Sequence, residues 1–484
     1  MTDASVSPPA PLPWIPRSIW FLSLGTVLLL FGCSSLRHGL FRSTAFDLAW
    51  FDQGIYLISQ GQPPIVSFSG FHILGDHAAF IFYPLALLYR LYADVHWLFA
   101  VQAIALGGAA PLVWLLAIQG GLSRSLANTL TLVYLLSPVV FNVNLFDFHS
   151  DVIAIPGILG AVLAARSRRI IPFTAWILLI LASKAVLSLT LIMVGVWLWC
   201  FEQRRICGAI AAGLSTAWFL FSTQVIFPYF TGGEHAAVGR YDYLGDSVLD
   251  IGLNLVKNPQ IILGHLFQLS SLEYAVLLLI PYVWGLHYRN WVMLIPALPQ
   301  FVLNLLSDAD TQRDLVHQYS VPILPFLVLM VLVALTSDRT WLRRRQLMLG
   351  WAVVGFVALA KPGYFWSIYL NQLDTWQATR GAIAAVTTKG GVLTTSNIAP
   401  QLSQRSLIRQ TLVGQAVEEV DRFDYVVLNG RHPGWGSDQA THQRILDYLV
   451  QSNTFEQRYE RDEVVVFGRS TPVSTTAAPE LGPT

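Results

Sequence analysis

The sequence predicts an all-α polytopic membrane protein of about eleven transmembrane helices, with a small extracytoplasmic α/β domain at its C-terminal end. Three observations carry this. Hydrophobic residues make up 54% of the 484 positions and charged residues only 12%, against roughly 25% charged in a soluble domain. Apolar runs recur from residue 18 to residue 361, and mean hydropathy is +0.52. Beyond residue 362 the pattern changes to short β-type runs around one amphipathic helix. The formal net charge of +1 supplies no field for a polyanion, so no nucleic-acid partner is expected. Cys33, Cys200 and Cys207 lie in or beside apolar runs and make no disulfide framework.

The chain divides into a cytoplasmic segment 1–17, a membrane domain 18–361 with a first outer loop 37–95, an extracytoplasmic domain 362–470 and a disordered tail 471–484. A spanning helix needs roughly 20 apolar residues. Spans are placed near 18–36, 96–118, 124–144, 151–165, 170–183, 185–201, 206–227, 274–287, 290–306, 320–336 and 346–361. The first follows "SVSPPAPLPWIP" and is read as retained, because no small-residue cleavage site follows it. The apolar piece "AAFIFYPLALLYRLY" (78–92) is short and holds Pro84, so it is read as a helix lying in the outer interface.

Arginine turns orient the spans. "RSRR" (166–169), "EQRR" (202–205), "HYR" (287–289) and "DRTWLRRR" (338–345) fall on one side with Arg17 and Arg124. By the positive-inside rule that side is cytoplasmic. The acids and histidines gather on the other side, in "FDLAWFD" (46–52), "GDH" (75–77), "DFHSD" (147–151), Lys184 and "SDADTQRDLVHQYS" (307–320). In the last domain "GVLTTS", "FDYVVLN" and "EVVVFGR" read as strands, "THQRILDYLVQSN" as a helix and "NGRHPGWG" as a loop.

Asp47 and Asp52 stand five residues apart among aromatics. They are either solvated acids at a helix end or a site. On a helix of 3.6 residues per turn they lie about 140° apart, so only one faces a given direction. A carboxylate at an apolar boundary has a raised pKa and can act as a general base on a hydroxyl. Asp147, His149 and Asp151 form a polar turn between helices, or else bind an acceptor or a divalent ion such as Mg or Mn. Lys184 sits between two apolar runs, where a charge costs about 2.5–3.5 kcal/mol. It either snorkels to headgroups or pairs with a phosphate, Asp147 or Asp151. His317 and Tyr319 are interface anchors or phosphate contacts, with Arg313 close by. Glu234, His235 and Arg240 add a weak signal.

The order of "FDLAWFDQGIY", "GDHAAF", "FDFHSDV", "LASKAVL" and "HQYSVPILPFL", with "LSQRSLI" and "DYVVLN" later, resembles the domain-of-unknown-function 2079 family of bacterial membrane proteins. The first loop also resembles that of the GT-C superfamily of polyprenyl-phosphate-sugar glycosyltransferases. The resemblance implies a GT-C-like fold and sugar transfer from a polyprenyl-phosphate donor to a hydroxyl of a glycan, lipid or protein. It implies Asp47 as the catalytic acid, with Asp52 near. Phosphate-side groups would be His77, Lys184, His317 and Arg313, and acceptor or metal groups Asp76, Asp147, His149 and Asp151. Relatives carry Lys-Glu-Asp where this chain has Lys184, Ala185 and Val186, so two acids are replaced. The competing classes are a lipid or solute transporter and a non-catalytic scaffold. A transporter would place polar groups at the midplane, often with inverted repeats; here they sit at span ends.

Overall fold

The computed structural model describes residues 13–233 and 236–470. Most of segment 1–17, the tail 471–484, Glu234 and His235 lie outside the described residues. The chain is mostly helical and divides into two compact units. One comprises Met1–Phe31, Asp76–Ile81 and Ala100–Lys361; the other comprises Gly32–Gly75, Phe82–Phe99 and Pro362–Thr484. The first loop thus divides: Gly32–Gly75 and Phe82–Phe99 belong with the C-terminal segment, whereas Asp76–Ile81 belongs with the helical unit.

Three helices among the described residues are long and apolar enough to cross a membrane: Arg17–Gly39, His96–Gln119 and Arg205–Thr231. Three bent pairs raise that to six. Several of the eleven expected spans are shorter or broken. Over 290–306 the backbone is a 3-10 helix through Tyr288–Ala297 and α-helical only from Leu298–Leu306, with Pro296 just before the change. Pro296 lacks the N–H that an uninterrupted α-helix needs there. The span over 124–144 bends by 40° between Arg124–Leu135 and Pro138–Asn144, again at a proline. Apolar composition alone does not register these interruptions.

Small residues set one helix pair. Leu187–Cys200 and Arg205–Phe221 pack where Gly195 meets Gly208. A Cβ added at Gly195 would lie 2.6 Å from the Ala212 nitrogen and 2.7 Å from the Gly208 oxygen. Backbones approach that closely only where side chains are absent. At one end of this group the basic turns join, with Arg166 forked onto Glu202 at 3.1 and 2.7 Å.

The second unit is built on a five-stranded sheet. A short antiparallel pair, β1 (Ile65–Val66) and β2 (Phe71–His72), precedes it. The sheet strands are β3 (Val392–Thr394), β4 (Ile408–Gln410), β5 (Tyr425–Asn429), β6 (Phe455–Arg461) and β7 (Val464–Arg469), in the order β4-β3-β5-β7-β6. β4, β3 and β5 are parallel; β7 and β6 add an antiparallel edge. Period-2 alternation sends Val392, Ile408, Tyr425 and Val427 to one face, where they pack with Ala45, Ala49, Ala378 and Ala382. Leu393, Val426 and Leu428 cover the other face, with Ile445 and Leu449 of helix Gln439–Gln451. Helix Phe82–Leu91 has ten residues. At 1.5 Å per residue it runs about 15 Å, half the thickness of a bilayer core.

Candidate functional site

In the helical unit, four segments distant in sequence meet. The Ala185 N–H donates to the His77 carbonyl at 2.9 Å, and the Ile81 N–H donates to the Ala182 carbonyl at 2.9 Å. "GDHAAF" is thereby tied to "LASKAVL". The Ser150 hydroxyl donates to the Ser183 carbonyl at 2.7 Å, and Lys184 Nζ donates to both oxygens of Asp151 at 3.1 and 3.2 Å, which brings in "FDFHSDV". The Phe146 ring stacks on His149 with centroids 5.3 Å apart and meets His317 edge-on at 4.0 Å, which adds "HQYSVPILPFL".

The backbone is held in uncommon conformations at two of these points. Ala78, directly after the His77–Asp76 pair, has φ +47, and Asp147 has φ +69. The left-handed region costs an L-residue such as alanine about 1–2 kcal/mol, and such residues gather at functional sites. Gln102, which the sequence reading passed over, enforces the second corner. Its amide donates to the Asp147 carbonyl at 2.7 Å and accepts from the His149 N–H at 3.0 Å. It is fully buried in an apolar helix, and a lone buried amide there is the signal that could have found it.

Other expected groups are committed elsewhere. His317 is clamped by Asp314, which it meets at 2.6 Å. Arg313 closes its own loop, donating to the Ser307 carbonyl and to Asp310 at 2.6 Å. Ala185, which stands in place of one of the two acids, is buried and contributes its backbone N–H. Among the described residues no three His, Cys, Asp or Glu side chains are grouped to hold a metal ion. Asp151 is spent on Lys184, and the Asp147–His149 turn is fixed through its backbone. The residues read as Mg or Mn ligands do not form a ligand set, and no step below runs through one.

In the sheet-bearing unit, Asp47 and Asp52 part company. Asp47 lies in a π-helical turn, Ala45–Ala49, that leads into helix Trp50–Ser59; such turns are frequent at functional sites. It is half-buried and accepts from the Thr44 hydroxyl at 3.1 Å. Asp52 is 1% exposed. Its two oxygens accept from the Tyr89 and Ser403 hydroxyls, each at 2.6 Å. Burial outweighs these bonds and pushes its carboxyl up to about 6. Asp52 thus joins helix Phe82–Leu91 to the segment at Ser403. Tyr89 and Ser403, neither of them singled out in the sequence, are its partners. The amide of Gln53, next in sequence, donates to Ser67 at 2.8 Å and to the Arg405 carbonyl at 3.1 Å. "FDQ" and "LSQRSLI" are thus one packed joint. Beside Asp52 is a polar cavity of about 400 Å³, lined also by Asp94, His96, Lys389, Gln404 and Arg405.

The sequence matches the family described as "Predicted membrane protein (DUF2079)" over residues 37–466. No curated protein matches it. Among solved structures the fold is similar to that of ArnT from Cupriavidus metallidurans bound to undecaprenyl phosphate. The TM-score is 0.52 at 13% identity, covering 97% of this chain and 100% of that one. ArnT of the same organism in the apo state gives a TM-score of 0.46 at 14% identity, covering 92% of this chain and 98% of that one. Identity this low speaks to fold alone.

Proposed function

We propose a membrane glycosyltransferase, on the premise that the chain belongs to the DUF2079 family of membrane proteins. The reaction class is of the GT-C type: a sugar passes from a polyprenyl-phosphate donor to an acceptor hydroxyl, on the extracytoplasmic side. One observation carries this reading. Four polar segments converge on Lys184 in a fold similar to that of ArnT, a protein crystallised with undecaprenyl phosphate.

In the proposed step the Asp47 carboxylate takes the proton from the acceptor hydroxyl. The acceptor oxygen bonds to the anomeric carbon, and the bond from that carbon to the phosphate oxygen breaks. Polyprenyl phosphate leaves with the electron pair. Negative charge grows on the phosphate, and a fixed cation stabilises it most in a site shielded from water. Lys184 is 14% exposed and bonded only to Asp151 in the described contacts. It suits that role by exchanging one carboxylate oxygen for a phosphate oxygen. His77, on the segment bonded to the Lys184 turn, is the second phosphate-side group.

The test is release of polyprenyl phosphate from a panel of polyprenyl-phosphate sugars by the purified protein. Removing a general base costs about 10²–10⁴-fold in rate, so Asp47→Asn should lose release by that factor. Release unchanged in both Asp47→Asn and Lys184→Ala would sink this mechanism. Transport of the lipid without bond cleavage would move the protein to the transporter class.

A further inference from the structure

The sheet-bearing unit carries a second polar site at the carboxyl ends of its parallel strands. In the register Thr394 stands opposite both Gln410 and Val427. Alternation puts Thr394 and Gln410 on the face that is apolar at Val392, Ile408 and Tyr425. The core pattern would continue with apolar side chains; a hydroxyl and an amide replace them. Both are buried, Thr394 fully and Gln410 to 3% exposed.

These groups lack partners. Among the described residues of 362–470, seven buried side-chain polar atoms have no hydrogen bond. Five of them are here: Thr394 Oγ1, Thr395 Oγ1, both amide atoms of Gln410 and Ser437 Oγ. An unpaired buried polar group costs about 1–3 kcal/mol, and a cluster of them calls for a water or a ligand. All five belong to neutral groups.

Two further observations point to a ligand. The strand order makes the β3/β5 border a topological switch point, and open α/β sheets bind ligands in the crevice outside the carboxyl ends at such a border. The loop after β5 then lays a Gly-Trp-Gly segment over the polar strand ends. Gly434 and Gly436 have φ of +86 and +81. A Cβ at Gly434 would lie 3.0 Å from the Ser396 nitrogen, and one at Gly436 3.1 Å from Gln410 Nε2. Between them Trp435 is 67% exposed and meets the 41%-exposed Phe46 edge-on at 5.7 Å. Phe46 is the neighbour of Asp47 in sequence.

We propose that this edge binds a neutral carbohydrate. Trp435 and Phe46 take the apolar face of a pyranose ring. Thr394, Thr395, Gln410 and Ser437 pair with its hydroxyls as the Gly434–Gly436 segment shifts to admit them. A hydroxyl both donates and accepts, which matches orphaned hydroxyls and an amide better than any ion does. Calling this sugar the acceptor rests on the transfer reading, because Asp47 follows Phe46; the binding itself does not.

The experiment uses the full chain in lipid nanodiscs free of sugar detergents. Glucose, mannose and N-acetylglucosamine are titrated and followed by saturation-transfer NMR, with glucuronate and inorganic phosphate as charged controls. Saturable binding of at least one neutral sugar is expected, weakened about tenfold or more by Trp435→Ala and by Gln410→Leu, since one lost hydrogen bond or stacking face is worth about that much. Thermal melting checks that each variant folds, and Thr394→Val supplies a second probe if Gln410→Leu does not. The proposal is overturned by no saturable binding of a neutral sugar, by binding indifferent to both Trp435→Ala and the strand-end variants, or by binding of the charged controls alone. Sugar binding without any transfer would leave this site standing and remove the glycosyltransferase reading.

Discussion

Lys184 Nζ forks onto the carboxylate of Asp151, 3.1 and 3.2 Å from its two oxygens, and both side chains are largely buried. Removing one member of a buried pair costs about 3–5 kcal/mol, because the other is left uncompensated, whereas replacing both by apolar groups is often neutral. Lys184→Met should therefore melt well below the wild type, and Lys184→Met/Asp151→Leu should recover most of the loss. If Lys184 serves the leaving phosphate, the double variant remains inactive although stable. Recovery of both stability and transfer would make the pair purely structural.

The buried Asp52 carboxyl gives a second test, with a definite sign. Its folded pKa is about 6, above the 3.8 of the free group. Between those values the folded state holds a proton that the unfolded state releases. This group's contribution is therefore fully present below about pH 4 and is lost as pH rises through 6. At 1.36 kcal/mol per pKa unit the loss is about 3 kcal/mol. Asp52→Asn should flatten that part of the profile, so the melting temperature of the variant relative to the wild type rises from pH 4 to pH 7. A difference constant with pH would show that Asp52 ionises as freely in the folded state as in the unfolded one.

How much of this was legible in the sequence follows from the range of the interactions. The polar segments stood out because charges interrupt apolar runs. That Lys184 takes Asp151 was one of three pairings left open, beside Asp147 and a phosphate; among the acids the structure shows Asp151. Tyr89 and Ser403 were illegible because they reach Asp52 from 37 and 351 residues away, and a tyrosine among aromatics or a serine in a loop carries no local mark. The 3-10 stretch Tyr288–Ala297 was missed because its composition is that of a span. The strands β3, β5 and β7 were readable from β-branched runs, but the orphaned polar edge depends on register, which only pairing reveals.

Close helix approach yields a third prediction. Gly195 and Gly208 leave no room for a side chain between Leu187–Cys200 and Arg205–Phe221. Overpacking a tight contact costs about 1–3 kcal/mol. Gly195→Leu should lower the melting temperature and the yield of folded protein, whereas Gly213→Leu, with nothing within 4 Å of its Cβ, should be tolerated. Equal tolerance at both glycines would mean that these two helices do not meet as described.

The last prediction concerns topology, on which the reading of donor and acceptor depends. Arg166 and Arg204 lie at one joint with Glu202, so the turns 166–169 and 202–205 share an end of the helical unit. Basic turns stay in the cytoplasm, and Ser337 at the start of a third basic turn is exposed. Gln457 on β6 is also exposed, in the unit proposed to stand outside. In a background without the native cysteines, Gln457→Cys should react with a membrane-impermeant maleimide in intact cells, and Ser337→Cys only after permeabilisation. The opposite pattern would place the sheet and Asp47 in the cytoplasm. A polyprenyl-phosphate sugar presented at the extracytoplasmic surface would then be out of reach of the proposed base.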